Sequence, residues 1–391
     1  MRKTKQKKVF RAGFVLCLTL VCSCAGIRSE RAAPPIVSLT QAVEQLGRDL
    51  FGGIPEQGEK GRMVAVDLFT NEESGEVPMA ARRVEALLLQ EGRRRPGTVE
   101  PVGLSEDGQP EIRYLVTGTV ASESEEHQGM PAYRLRGAVT DLKTGRVVVR
   151  STARFADAGF DFSSMALYRD NPFFDPSYQK KKMPDERPRR ATPPPAEYSV
   201  QTLALLREAS SAYERKAYKQ SLGLFEKAAD RPDGQTLWTY AGLYLVYENL
   251  DRTQSADEAF EKILSISVAR YGMLTVRFLF QVDSVDFWKP GENGKRYRSW
   301  LRRIGKYFAQ TDQCLQVVGH CSKTGPETWN KSLSLRRAEK IQQILGESTP
   351  GLLARVEAVG KGSAENVVGI GTDDARDALD RRVELLVVGC R

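Results

Sequence analysis

Residues that could carry covalent or metal chemistry are few in this chain of 391 residues, which has two histidines and six cysteines. His320 and Cys321 place a base next to a thiol, but neighbouring residues on a strand point to opposite faces, so we do not expect them to work as a pair. A zinc site is not expected either, because no Cys-x-x-Cys pair is present. We also find no Ser/His/Asp arrangement and no phosphate-binding loop. The sequence therefore predicts a protein that is not an enzyme and that uses no cofactor and no metal.

Binding chemistry is indicated instead between Gly319 and Lys340, GHCSKTGPETWNKSLSLRRAEK, which looks like a small-molecule binding loop that runs into a helix. The elements around it are readable from their periodicity. TVRFLFQV, CLQVVGH, ARVEAVGKG and DRRVELLVV are typical of strands, whereas RYRSWLRRIGKYFAQ and NKSLSLRRAEKIQQILGE are typical of helices. Their lengths and the right-handed crossover rule predict two β–α–β units that share one sheet.

The second of these helices carries a spaced motif that resembles the signature of the OmpA-like C-terminal domain: Asn330-x2-Leu333-Ser334-x2-Arg337-Ala338-x2-Ile341-x3-Leu345. Gly-His before it, Gly-Lys-Gly after it and the final Asp-Arg-Arg-Val-Glu fit the same family in order. The resemblance covers about residues 274 to 389. It implies a βαβαββ sandwich and non-covalent binding of peptidoglycan.

The family resemblance also implies which side chains bind. In the family, an Asp after Gly-His/Phe-Thr and the Arg of the helix motif hold the zwitterionic end of the diaminopimelate side chain. A carboxylate holds the ammonium, and a guanidinium makes a two-pronged contact with the carboxylate. In this chain the Arg is Arg337, whereas the Asp position is Ser322 and the preceding Thr is Cys321. Asn330 and Arg382 complete the expected peptidoglycan-binding set.

Ser322 is the departure from the family that matters for affinity. A neutral hydroxyl in place of a carboxylate loses a charge-assisted hydrogen bond, which costs about 1.5–3 kcal/mol, or roughly tenfold to more than a hundredfold in affinity. Glu327 is the nearest carboxylate that could compensate, and an ordinary solvated loop acid is the alternative. Structural roles are open for the others: an ion pair for Arg337, a loop tie or helix cap for Asn330, and pairing with an acid for Arg382.

At the other end the chain begins MRKTKQKKVFRAGFVLCLTLVCSCAG, where six Lys/Arg precede a short apolar run. The run is too short to span a membrane, which needs ~20 apolar residues. The pattern predicts a signal peptide over residues 1–23. Val21-Cys22-Ser23-Cys24 resembles a bacterial lipobox, which implies lipidation of Cys24 after cleavage. An ordinary signal peptide cut nearby is the alternative.

Charge and cysteine content change once the leader is removed. Six of the eight net positive charges belong to residues 1–23, so the remaining chain is close to neutral and gives no electrostatic case for nucleic-acid binding. Three cysteines then remain besides Cys24. Cys314 and Cys321 lie at opposite ends of one strand, roughly 20 Å apart, too far for a disulfide. Cys314 can pair with Cys390 only if their strands are antiparallel neighbours, and we expect three free or partly paired thiols.

Two further blocks precede the C-terminal one. After a tether over residues 24–37, residues 38–170 alternate helix and strand, from SLTQAVEQLGRDLF, with Ser38 as a candidate cap, to a hairpin joined by Lys143-Thr144-Gly145. This order resembles the α/β domain of CsgG and of LpoB-type lipoproteins. Residues 171–198 are rich in prolines and basic residues and are typical of a semi-rigid linker.

The block over residues 199–270 is helical and repetitive. Tyr213-Glu214 recurs as Tyr247-Glu248, 34 residues later, a period that resembles tetratricopeptide repeats. A plain four-helix spacer is the alternative. The OmpA-like domain then occupies residues 271–391, which gives a multidomain α/β plus all-α fold class.

Two functions are compatible with this organisation. The first is a lipid-anchored protein on the periplasmic side of a bacterial envelope, at the outer membrane, whose C-terminal domain associates with peptidoglycan. The alternative is a non-enzymatic envelope scaffold whose OmpA-like domain has lost peptidoglycan binding and whose other domains bind protein partners.

Overall fold

A computed structural model describes residues 33–55, 62–94, 99–105, 112–123, 126–171, 173, 199–288, 290–366, 371 and 376–390. The expected leader, Cys24 and nearly all of the basic proline-rich linker lie outside the described residues. Among the described helices, none is long and apolar enough to cross a membrane.

The N-terminal part is a mixed sheet covered by helices. Its strands are β1 Ile36–Val37, β2 Arg62–Val66, β3 Thr70–Asn71, β4 Val99–Gly103, β5 Ile112–Ser122, β6 Ala132–Asp141 and β7 Arg146–Ala156. Its helices are α1 Leu39–Gly52, α2 Ala81–Arg93 and α3 Ala166–Asp170. The strand order is β1-β7-β6-β5-β2-β4, with β3 beside β5. Strands β5 to β7 form an antiparallel meander, and β2 runs parallel to β4 and β5.

Local chemistry explains two boundaries in this part. Ser38 caps α1 as expected, because its hydroxyl accepts from the Gln41 backbone and the Gln41 side chain returns to the Ser38 backbone in a capping box. The β6–β7 hairpin turns where the Asp141 carboxylate accepts from the backbone N–H groups of Lys143 and Thr144. Gly145 closes that turn at φ 66°, a left-handed conformation that glycine adopts readily.

Four helices follow as two hairpins: α4 Val200–Glu214, α5 Tyr218–Ala229, α6 Leu237–Asn249 and α7 Thr253–Tyr271. Helix α7 ends at Gly272, which has φ 66° and leads directly into the next strand. The helices therefore meet the C-terminal sheet without an intervening linker.

The C-terminal part has the expected β–α–β–α–β–β order. Its elements are β8 Met273–Leu279, α8 Pro290–Ala309, β9 Cys314–Gly319, α9 Glu327–Ser348, β10 Val356–Gly360 and β11 Arg382–Val388, with short 3₁₀ helices at Pro350–Arg355 and Arg376–Leu379. The sheet order is β10-β9-β11-β8, with β11 antiparallel to both of its neighbours. The expectation of a mixed helix and strand fold is therefore confirmed.

The antiparallel pairing of β9 and β11 decides the state of the cysteines. Val388 lies opposite Cys314, and Cys390 follows two residues later. Cys314 and Cys390 form a disulfide with their Cα atoms 5.1 Å apart, and Cys321 is the free cysteine among the described residues. The condition for pairing Cys314 with Cys390 is therefore met, because the antiparallel register brings the two chain segments together.

Buried side chains join the helical and C-terminal parts in one continuous core. Trp300 of α8 donates from its Nε1 to the hydroxyl of Tyr244 on α6, 2.8 Å away, and both side chains are buried. The same core continues from the four helices to the inner face of the C-terminal sheet. Polar contacts reach the N-terminal part: Arg207 of α4 forms a buried two-pronged ion pair with Asp67.

Candidate functional site

Two glycines let helix α9 rest directly on the ends of strands β9 and β10. Gly319 and Gly360 are paired residues of these parallel strands. A Cβ atom on Gly319 would lie 1.9 Å from the backbone oxygen of Ser334, and one on Gly360 would lie 2.6 Å from that of Lys331. Any side chain at either position would push the helix away. These glycines of the motif therefore set the distance between the helix and the loop after Gly319.

Arg337 projects from α9 into the space beneath that loop and is 1% exposed. Its guanidinium donates to three backbone carbonyls at 2.7 to 3.1 Å, those of Gln281, Ser284 and His320. Two of these acceptors lie in the loop after β8, and the third lies in the loop after β9. Arg337 therefore ties the two loops together and is covered by them.

A thiol and an aromatic ring also contact the Arg337 guanidinium. Its Nη1 lies 3.3 Å from the Sγ of Cys321, and the ring of Phe280 lies 5.4 Å from its central carbon. Burial raises the pKa of the Cys321 thiol, which therefore stays protonated at neutral pH and is a poor nucleophile.

Ser322 and Asn330 organise the loop after β9. Ser322 is 6% exposed, and its hydroxyl lies 3.2 Å from that of Thr324. The Asn330 side-chain amide donates to the backbone carbonyls of Thr324, at 2.9 Å, and of Ser322, at 3.4 Å. Asn330 thus ties the loop down, and Ser322 presents a neutral hydroxyl where the family resemblance implies a carboxylate.

Glu327 begins α9 on the exposed side of the same loop. Its carboxylate accepts from the hydroxyl of Ser363, in the turn that follows β10, and packs against Gly362. The described hydrogen bond of this acid is therefore to the β10 turn and not to the loop that holds Ser322.

Arg382 lies in a buried polar cluster with Glu384 and His320. Its Nε donates to the Glu384 carboxylate at 2.6 Å, and His320 Nε2 lies 3.6 Å from the same carboxylate. Although burial opposes it, the Arg382 charge holds the pKa of Glu384 well below its usual range. Burial and the Arg382 charge lower the pKa of His320, which is therefore neutral at pH 7. The structure brings Arg337, Ser322 and Asn330 together around one loop, whereas the Arg382 side chain pairs with an acid.

Sequence reasoning missed the loop after β8 as part of this site. Asp283 and Ser284 are residue types that favour turns, and Asp283 has φ 48°, a left-handed conformation that Asp tolerates better than most residues. That signal indicates a turn, but nothing in it assigns the carbonyls of the turn to Arg337. The described residues contain no group of three or more side chains that could hold a metal ion.

Comparisons with known proteins identify the C-terminal part. Residues 294–379 match the OmpA family. The chain is 32% identical over 115 residues to outer membrane porin F of Pseudomonas fluorescens, a stretch that makes up 29% of this chain and 32% of that protein. The chain thus spans about a third of the length of this curated relative.

Solved structures also match part of this chain. The peptidoglycan-associated lipoprotein from Burkholderia pseudomallei is 25% identical with a TM-score of 0.24, and the match covers 29% of this chain and 89% of that one. The periplasmic domain of MotB from Helicobacter pylori is 16% identical with a TM-score of 0.23, over 29% of this chain and 71% of that one. The predicted OmpA domain is confirmed at residues 294–379. The tetratricopeptide and CsgG/LpoB resemblances, the domain boundaries and the roles of the site residues stay predictions.

Proposed function

We propose that this protein is a lipid-anchored component of the bacterial cell envelope that associates with peptidoglycan through its C-terminal domain. The observation that carries the proposal is the OmpA domain at residues 294–379, because resemblance to this family implies non-covalent peptidoglycan binding. No enzymatic activity is part of the proposal.

The disulfide supports a location outside the cytosol. Disulfides persist in oxidising compartments such as the periplasm and are rare where thiols are kept reduced. Cys314 and Cys390 clamp the ends of β9 and β11, and β9 leads into the candidate site.

The geometry around Arg337 favours weak binding at the position that the family uses. The guanidinium is buried and donates to three backbone carbonyls, so a ligand carboxylate has to compete with these carbonyls for a covered group. Ser322 supplies no charge for an ammonium group, which costs about 1.5–3 kcal/mol relative to a carboxylate. We therefore propose association that is weaker than in OmpA domains that carry the Asp.

Co-sedimentation with purified sacculi tests the proposal. We expect the wild-type protein to be retained at low salt and the Ser322→Asp variant to be retained at least tenfold more strongly. Gln343→Glu, which adds one negative charge on an exposed part of α9, is the matched control and should behave like wild type. The proposal is wrong if the wild type does not sediment with sacculi at low salt.

A second candidate function is an envelope scaffold that has lost peptidoglycan binding and holds protein partners through its N-terminal and helical parts. The burial of Arg337 and its hydrogen bonds to three backbone carbonyls favour it. Sedimentation by Ser322→Asp together with none by the wild type would support this scaffold function.

Lipid anchoring at Cys24 has its own test, which does not depend on peptidoglycan. Metabolic labelling with a radioactive fatty acid should label the wild-type protein, and Cys24→Ala should remove the label. Equal labelling of Cys24→Ala would place the lipid elsewhere.

A further inference from the structure

An exposed tryptophan lies beside the covered Arg337. Trp329, in the first turn of α9, is 47% exposed although it is the largest side chain of that turn. Its ring is held in place, since its Nε1 donates to the Asp283 carboxylate at 2.6 Å. The guanidinium carbon of Arg336 lies 5.1 Å from the ring centroid. The indole of Trp329 therefore has a carboxylate at its edge and a guanidinium cation over its face.

Both charges remain available for a ligand. Within the described residues neither Asp283 nor Arg336 takes part in an ion pair, and Asp283 is exposed. The Arg336 side chain makes one described hydrogen bond, from Nη1 to the Ser332 hydroxyl, so most of its five N–H donors stay available. A carboxylate offers about four acceptor sites, of which the indole N–H occupies one.

The backbone under this surface is fixed by Arg337. The carbonyls that Arg337 binds belong to Gln281 and Ser284, which flank Val282 and Asp283. Asp283 keeps its left-handed backbone conformation within this clamp, and Val282 is 43% exposed. We call Val282, Asp283, Trp329 and Arg336 the Trp329 patch. Its parts are preorganised, because a buried arginine holds one side and a helix holds the other.

We propose that the Trp329 patch binds the zwitterionic end of a diamino-acid side chain in a peptidoglycan stem peptide. Asp283 accepts from the ammonium group, Arg336 donates to the carboxylate, and the aliphatic stem lies against the indole and Val282. The patch thereby supplies a carboxylate, which is missing at Ser322. It also supplies an accessible guanidinium, whereas that of Arg337 is covered. The inference rests on the proposed peptidoglycan association and names the side chains that carry it.

Charge complementarity selects this ligand over other partners. A purely anionic ligand would meet Asp283 and a purely cationic one would meet Arg336, whereas a zwitterion satisfies both. A stem peptide that ends its side chain in an amine alone, such as one with lysine, uses only Asp283. The patch should therefore distinguish diaminopimelate from lysine at the same peptide position.

Titration calorimetry with the full-length protein and a diaminopimelate-containing stem tripeptide tests the assignment. We expect Asp283→Asn and Arg336→Gln each to weaken binding about tenfold, the loss of one charge-assisted contact. Trp329→Ala should also weaken it. Asp286→Asn, which alters an exposed acid of the same loop, is the matched control and should bind like wild type. The lysine tripeptide should bind the wild type more weakly and be insensitive to Arg336→Gln.

The outcomes separate this inference from the proposed function. Binding to sacculi by the wild type together with unchanged tripeptide affinity in Asp283→Asn and Arg336→Gln would overturn the patch and leave the proposed function standing. No binding of the wild type to either sacculi or the tripeptide would overturn both. All three altered side chains are at least partly exposed, so unchanged melting temperatures are expected and would confirm that the variants are folded.

Discussion

Arg337 is expected to contribute to stability whether or not it contacts a ligand, and Arg337→Met tests this. Methionine keeps most of the apolar stem but removes the guanidinium, which leaves the buried carbonyls of Gln281, Ser284 and His320 without their donor. Each lost bond of this kind costs about 1–1.5 kcal/mol, so we expect a loss of about 3–4.5 kcal/mol in the free energy of unfolding.

Urea unfolding followed by tryptophan fluorescence measures the loss. With a urea dependence of about 2 kcal/mol per molar, a loss of about 4 kcal/mol lowers the midpoint by about 2 M. Arg336→Met is the matched control, because the Arg336 side chain is next in sequence and is partly exposed. We expect it to change the free energy of unfolding by about 0.5 kcal/mol or less. Arg337→Lys should fall between the two, since an ammonium reaches fewer of the carbonyls.

The refuting result is an Arg337→Met midpoint equal to that of Arg336→Met. It would mean that the guanidinium does not hold the two loops together and is open to a ligand carboxylate. If the stability loss is found instead, reduced sacculus binding by Arg337 variants cannot be attributed to a lost ligand contact, and the exposed Asp283 and Arg336 become the informative positions.

Three other predictions concern the disulfide, a buried ion pair and a buried histidine. Reduction of the Cys314–Cys390 disulfide, which closes a loop with a sequence separation of 76, should lower the free energy of unfolding by up to about 4.5 kcal/mol, seen as a lower urea midpoint in reductant; an unchanged midpoint would contradict it. Asp67→Asn should cost about 3 kcal/mol in thermal unfolding, because Arg207 would remain buried without its carboxylate. Burial lowers the pKa of His320 in the folded state, so its contribution to stability should be present above about pH 6.5 and be lost as the pH falls towards the folded-state pKa; His320→Gln should flatten that part of the stability–pH curve.

The helices and strands of the C-terminal domain were predictable because their apolar residues recur at helix or strand spacing. Trp300, Leu301, Ile304 and Phe308 mark the buried face of α8, and all four are buried in the structure. Strand β4 was missed in the N-terminal part, because its sequence VEPVG contains a proline and a glycine that disfavour strands. It forms nonetheless, since it extends the sheet beside β2.

The candidate site was predictable only where side-chain identity carries the information. Asn330 and Arg337 were identified because their motif resembles the OmpA-like signature, but the partners of Arg337 are backbone carbonyls, which every residue has. The position of Asp283 beside Trp329 joins residues 46 positions apart, and only the tertiary fold brings them together. The disulfide likewise depended on strand register, which the spacing of Cys314 and Cys390 does not encode.

The ion pair between Arg277 of β8 and Glu76, at 3.2 Å with the arginine side chain 9% exposed, has a mechanical consequence. Together with the core shared by the four helices and the C-terminal sheet, it connects the domain proposed to bind peptidoglycan directly to the described segments that precede it. A pull on that domain would load packed side chains and buried charges in shear before any chain could extend. Under tension, the described part of the protein would therefore act as a rigid connection and not as a flexible tether.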